Sequence, residues 1–340
     1  MNPKARPSIQ DVARLAGVSL GTVSNVLNNP DMVRAATAEK VLKAIDQLGF
    51  VRNDAARQLK AGKSLTLGMV VYDLANPFFT EVGRAAENAA AENGYAVLMG
   101  NTDHRREREK QYLQLFDQQR VAGVLVSPTA DIYEQIDELR VHGTQVVLLD
   151  RKADAARCCS VSVDDFAGGR VAVEHLLAQG RRRIGFVGNL QMQQVADRLA
   201  GAMAAINDFG NQAQLLVFES SDMTVLAGRE VGHRIVAAAQ QDRPDSLFAS
   251  NDLLAMGLVQ AFMFNGAIQI PQEIALVGYD DIDFAASAVV PLSSIRQPSK
   301  LLGETAVELI MDEISNGQNH VHRQVTFQPE LVVRDSSAHA

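Results

Sequence analysis

Between residues 65 and 280, short apolar runs alternate with amphipathic stretches, and the whole alternation occurs twice. "LTLGMVVY" (65–72), "YAVLMG" (95–100), "VAGVLVS" (121–127) and "QVVLLD" (145–150) are separated by helix-length segments near 78–93, 105–119 and 131–142. After a short strand at Val161–Val163 the pattern restarts with a helix near 166–179. "RIGFVG" (183–188), "LLVFE" (215–219), "SLFAS" (246–250) and "IALVGYD" (274–280) follow, with helices near 197–208, 226–239 and 252–264 between them. Strands apolar on both faces belong in parallel sheets, and parallel neighbours need right-handed helical crossovers. The repeat predicts an α/β body, residues 64–340, of two doubly wound parallel-sheet subdomains. Their boundaries fall at about 64–163 plus 293–327, and about 164–292 plus 328–340. Such sheets bind ligands beyond the carboxyl ends of their strands, so two facing sheets can line one cleft.

Residues 1–63 carry a different pattern and the opposite charge. They hold ten Lys/Arg and five Asp/Glu, whereas the remainder holds 22 against 35 in a chain of net charge −8. A basic head on an acidic body points to an anionic partner for the head. Ile9, Val12, Ala13 and Ala16 mark one face of a helix capped by Ser8, and Gly17 breaks it. Ser19 caps a second helix with Val23, Val26 and Leu27 inward, leaving Leu20, Gly21, Ser24, Asn25 and Asn28 outward. A third helix, about 37–48, turns Val41, Leu42, Ile45 and Leu48 inward and stops at Gly49. Three short helices with so tight a first turn describe a helix-turn-helix headpiece, residues 1–52, whose second helix enters the major groove of double-stranded DNA. Asn25 is the best-placed base reader, since an asparagine can bond adenine through two contacts. Arg34, Lys40, Lys43 and Arg52 are candidates for phosphate contact.

"QDVARLAGVSLGTVSNVLNN" closely resembles the head of the lac repressor/galactose repressor (LacI/GalR) family of bacterial transcription regulators. The likeness continues through "NDAARQLKAGKS", which resembles the family's hinge helix, residues 53–63 here. It implies DNA contacts from Ser19, Leu20, Gly21, Thr22, Ser24, Asn25 and Asn28, with Arg57 and Lys60 near phosphates. Leu59 matches the family's minor-groove leucine, and an apolar wedge there unstacks a base step and kinks the duplex.

The body resembles the periplasmic sugar-binding proteins, a type I fold that the same family shares. "ANPFF", "LLDR", "ADRLAGA", "ASNDLLAMG" and "GYDD" fall on that fold's effector-contacting segments. The implied effector set is Asn76, Phe78, Phe79, Asp150, Arg151, Arg198, Met223, Asn251, Asp280 and Gln297. Aromatic faces for a ring, with carboxylate, guanidinium and amide groups for hydroxyls, are the chemistry of a sugar pocket. The combination looks most like a ribose pocket and overlaps those for hexoses. Met223 departs from it, standing where ribose binders commonly place a phenylalanine.

The resulting expectation is a cytoplasmic, homodimeric, carbohydrate-controlled repressor acting on a near-palindromic operator, without cofactor or metal and not an enzyme. A regulator answering to a purine, nucleoside or protein coeffector, and a sugar-binding protein with no DNA role, are the alternatives. No apolar run reaches the roughly 18 residues of a membrane span, and "MNPKARPS" lacks the apolar core of a secretory signal. "GFVGN" (185–189) falls short of a dinucleotide fingerprint. Cys158 and Cys159, being adjacent, offer neither a disulfide framework nor metal spacing. His320 and His322 share one face of a probable strand and read as surface residues with no third ligand in sequence.

Overall fold

A computed structural model of the chain describes residues 7–50, 64–210, 212–264 and 268–338. The chain divides into two compact units, Met1–Ser64 and Leu65–Ala340. The expected hinge, with Arg57, Leu59 and Lys60, lies outside the described residues, as do Arg52 and Lys63.

In the first unit, α1 (Ile9–Ala16) begins at a reciprocal cap in which Asp11 N donates to Ser8 Oγ and Ser8 N to the Asp11 carboxylate. It ends at Gly17, whose φ of 66° is left-handed and suits glycine. Ser19 caps α2 (Leu20–Asn28), and α3 (Ala35–Leu48) closes at Gly49. Val12, Ala13, Val23, Val26, Val41 and Ala44 form the core. Leu42, expected inward, is 56% exposed, because α3 turns Ala44 inward in its place.

The second unit holds two sheets. The first is wholly parallel and runs in the order β11 (Gln324–Phe327), β5 (Cys159–Val163), β4 (Gln145–Leu149), β3 (Gly123–Val126), β1 (Thr66–Val71), β2 (Ala96–Asn101). Helices α4 (Pro77–Glu92) and α12 (Ser299–Asn316) cover one face, and α5 (Arg106–Gln118) and α6 (Tyr133–Val141) the other. The second sheet runs β12 (Glu330–Val332), β10 (Ser293–Arg296), β9 (Ala275–Asp280), β8 (Ser246–Ala249), β6 (Arg183–Gly188), β7 (Gln214–Glu219), with only β12 antiparallel. It packs against α7 (Asp165–Ala178), α8 (Gln193–Asp208), α9 (Val225–Ala237) and α10 (Asp252–Phe264). A short α11 (Asp283–Ser287) follows β9. The apolar runs read from sequence are these strands, and most of their side chains are buried.

One boundary moves. Residues 293–296, assigned in sequence to the first lobe, pair in parallel with β9 of the second, Ser293 opposite Val277 and Arg296 opposite Asp280. The chain therefore returns to the first lobe only after Arg296, where α12 begins. In each sheet the strand order reverses beside the first strand of the lobe, between β1 and β3 and between β6 and β8. Those reversals open a crevice at the strands' carboxyl ends.

Candidate effector site and DNA-binding face

The carboxyl ends of β1, β4, β8 and β9 bring their polar residues to one buried set. Asn76 follows β1 and caps α4, its Oδ1 accepting from Phe78 N at 3.0 Å. Its Nδ2 donates across the lobes to Asp280 Oδ2 at 2.9 Å. Asp280 Oδ1 accepts from Gln297 Nε2 at 2.7 Å. A second bridge joins the lobes at Asp150, whose Oδ2 accepts from Gln194 Nε2 at 3.2 Å and from Tyr72 at 3.0 Å. Asp150 and Asp280 end their strands with φ of 56° and 103°. Such backbone is costly for a non-glycine residue and collects at functional sites.

Arg198 stands at the centre. Its Nε donates to Asp165 Oδ1 at 2.7 Å and its Nη1 to the Ser250 carbonyl at 2.6 Å, while its Cζ lies 3.6 Å from the centroid of the Tyr279 ring. Tyr279 also donates to Asp165, at 3.0 Å. Gly169 and Gly201 let α7 and α8 close to this distance. A Cβ on Gly169 would collide with the Arg198 carbonyl, and one on Gly201 with that of Phe166.

One guanidinium thus faces three buried carboxylates. Burial pushes Asp150 up to about 7, helped by Asp165 and opposed by Arg198. Burial likewise pushes Asp280 up to about 6 against Arg198, Asn76 and Gln297. Asp165 is raised by burial and held back by Arg198. Burial works against the charge on Arg198, but Asp165 and the other anionic neighbours outweigh it, so the guanidinium stays protonated. Asp150 Oδ1 and Gln297 Oε1 are buried with no hydrogen-bond partner among the described residues.

The other expected residues make contacts apart from this hydrogen-bonded set. Phe78 and Phe79 are buried in the first lobe's core, with Phe79 edge-on to Tyr72 at 4.5 Å. Arg151 turns away from the carboxylates and donates to the Ala130 carbonyl at 3.2 Å. Asn251 Nδ2 donates to the Met223 carbonyl, and its Oδ1 accepts from Leu254 N. Met223 is itself buried, its sulfur 3.6 Å from Ser250 Oγ. Four residues absent from the sequence reading belong to the set: Tyr72, Asp165, Gln194 and Tyr279. Tyr72 and Tyr279 lie at strand ends, where the chosen residues also lie, and Asp165 opens α7. Gln194 precedes Arg198 by four positions, one turn along the same helical face.

On the head, α2 exposes Leu20, Gly21 and Asn25. Among the described residues no hydrogen bond engages the Asn25 side chain. Ser19 and Thr22 bond each other at the helix start, and Asn28 Nδ2 donates back to the Ser24 carbonyl and hydroxyl. These four residues thus shape the helix, while Leu20, Gly21 and Asn25 present its outer face.

His320 is not the surface residue expected. Its side chain is 2% exposed, and its Nε2 lies 3.1 Å from Cys159 Sγ. Among the described residues no helix is long and apolar enough to cross a membrane.

Residues 8–53 match the family model described as bacterial regulatory proteins, lacI family, and residues 173–337 match that of the periplasmic binding protein-like domain. The chain is 33% identical over 332 residues to the HTH-type transcriptional repressor PurR of Photobacterium profundum, covering 97% of this chain and 98% of that one. It resembles the lac repressor dimer bound to operator and the anti-inducer ONPF, with TM-score 0.81 and 26% identity over 98% of this chain and 99% of that one. A LacI family transcriptional regulator from Enterococcus faecium with bound ribose matches with TM-score 0.72 and 26% identity, over 80% of this chain and 98% of that one.

Proposed function

This chain belongs to the LacI family of bacterial regulatory proteins and is a DNA-binding transcriptional repressor, not an enzyme; from that premise we propose that a small carbohydrate, held where the strand ends of its two lobes meet, sets its affinity for the operator. The observation that carries this reading is the pair of buried acceptors, Asp150 Oδ1 and Gln297 Oε1, that no donor among the described residues reaches. An unmet buried acceptor costs about 1–3 kcal/mol, and a ligand hydroxyl relieves it. Asp150, Asp165 and Asp280 around Arg198 suit a polyhydroxylated ligand better than a flat ring. The aromatic rings nearby already make contacts of their own, Phe79 edge-on to Tyr72 and Tyr279 under the Arg198 guanidinium. Among carbohydrates a pentose is favoured, in keeping with the ribose bound by the Enterococcus faecium regulator.

A purine base or nucleoside is the second reading. It rests on the full-length likeness to repressors that carry the name PurR.

On this reading two copies bind a near-palindromic operator in the cytoplasm, their α2 helices in successive major grooves about 34 Å apart. Leu20, Gly21 and Asn25 meet base edges, and the 53–63 segment with Leu59 enters the minor groove. The effector shifts the balance between two lobe closures only by its differential affinity for them. The Asn76–Asp280 and Asp150–Gln194 bridges are the contacts it competes with or reinforces.

A thermal-shift panel of pentoses, hexoses, purines, nucleosides and sugar phosphates on the full chain tests the reading. Stabilisation by a pentose supports it, since a ligand of the native state raises the melting point. Stabilisation by a purine alone transfers the site to the second reading.

A further inference from the structure

At the amino-terminal end of β5, away from the strand ends that carry Asp150, four metal-ligating side chains converge. Cys159 is the first residue of β5, Glu313 lies on α12, and His320 and His322 lie on the link from α12 to β11. One ligand atom from each falls within 4.8 Å of all the others. Cys159 Sγ is 3.1 Å from His320 Nε2 and 3.8 Å from His322 Nδ1, and His322 Nδ1 is 4.0 Å from Glu313 Oε1. Metal–sulfur bonds of about 2.3 Å and metal–nitrogen bonds of about 2.0 Å set tetrahedral ligands roughly 3.3–3.8 Å apart, so only small adjustments separate this cluster from a closed site.

We propose that Cys159, Glu313, His320 and His322 bind one divalent metal ion of the zinc class, which ties α12 and its link to β11 onto β5. A thiolate, two imidazoles and a carboxylate form a mixed sulfur, nitrogen and oxygen set that suits zinc and its tetrahedral analogues better than calcium or magnesium. The surroundings supply the orienting contacts that such ligands need. Asp312 Oδ2 lies 2.7 Å from His320 Nδ1, which leaves Nε2 for the metal, as carboxylate–histidine pairs do at zinc sites. Arg323 N donates to Cys159 Sγ at 3.2 Å. Arg140 holds Glu313 Oε1 at 2.9 Å, while Glu313 Oε2, on a side chain only 4% exposed, is buried without a hydrogen-bond partner among the described residues. His322, 23% exposed, is the most exposed of the four side chains. Binding displaces the Cys159 thiol proton to solvent. Cys158 packs in the separate core on the opposite face of the sheet, with Val146 and Leu148, and takes no part.

The test uses the full chain, free of any purification tag and stripped with a chelator, titrated with Co²⁺ and separately with Zn²⁺ against a chromophoric chelator. The expected result is one ion per chain, tetrahedral visible bands and a thiolate-to-cobalt charge-transfer band in the near ultraviolet. Cys159→Ser abolishes the charge-transfer band, and Cys158→Ser retains it. His322→Ala, at the most exposed ligand, weakens affinity at least tenfold while the chain keeps its circular dichroism. Asp312→Asn weakens it about 10- to 100-fold. A stripped chain that binds no ion, or a folded His322→Ala chain that binds as the parent does, overturns the proposal.

Discussion

Asn76 on the first lobe donates to Asp280 on the second at 2.9 Å, while its other amide atom caps α4. One side chain therefore serves both a helix start and the closure of the cleft, and the two duties can be separated. Asn76→Asp keeps a good cap but turns a donor into an anion facing Asp280. It is expected to lower effector affinity, with a loss of melting temperature that grows as the pH rises and both carboxylates ionise. Asn76→Ala loses both, with about 1 kcal/mol of stability lost at the cap. Calorimetric titration of effector beside thermal melts of both variants checks the split.

Among the described residues Arg198 is the one cation bonded within the carboxylate set, so its loss leaves Asp165 buried without its ion-pair partner. Arg198→Ala is expected to destabilise the effector unit by about 3–5 kcal/mol, as breaking a buried pair does. Arg198→Lys should also fail to respond to effector, because a single ammonium cannot bond Asp165 and the Ser250 carbonyl in the geometry of the guanidinium. Urea unfolding gives the first number and operator release the second.

Gly169 is expected to tolerate no side chain. A methyl there meets the Arg198 carbonyl, so α8 must retreat and carry Arg198 from Asp165. Gly169→Ala should cost about 1–3 kcal/mol by overpacking and blunt the effector response. An unchanged urea midpoint contradicts the close helix approach.

Stability should depend on pH through Asp150 and Asp280. Their native values of about 7 and about 6 lie above the roughly 3.9 of an unfolded chain. Between about pH 4 and 7 the native state therefore holds more protons, and these groups lower stability as the pH rises through that window, with no further change above it. The urea midpoint of the parent should fall more between pH 5 and pH 8 than that of Asp150→Asn. Equal falls would remove Asp150 as a source of the dependence.

The architecture was legible because buried parallel strands must be apolar throughout, and a strand–helix alternation written twice admits few folds. The strand ends were legible for the same reason, so Asn76, Asp150 and Asp280 could be named before any geometry, whereas Gln297 came with the family resemblance. Side-chain direction was not. Arg151 lies next to Asp150 in sequence yet leaves the carboxylates for the Ala130 carbonyl, and nothing in "LLDR" distinguishes the two outcomes. Phe78 and Phe79 belong to the effector set that the resemblance implies, and helix α4 packs both into the first lobe's core. The placement of 293–296 failed because four residues carry no periodicity that says which sheet they join. Cys159 and His322 are 163 positions apart, and only the pairing of β5 with β11 makes them neighbours.

The central claim is that a ligand at the joined strand ends of the lobes governs operator affinity. Anisotropy titration of a labelled operator, with and without the saturating ligand found by thermal shift, on the parent and on an Asp150→Asn/Asp280→Asn chain, tests it most directly. The expected result is a shift of about 5- to 150-fold in the parent, the usual range of coupling between linked sites, and a double variant that binds operator as the parent does but ignores the ligand. A double variant that still responds at the parent's ligand concentration contradicts the claim.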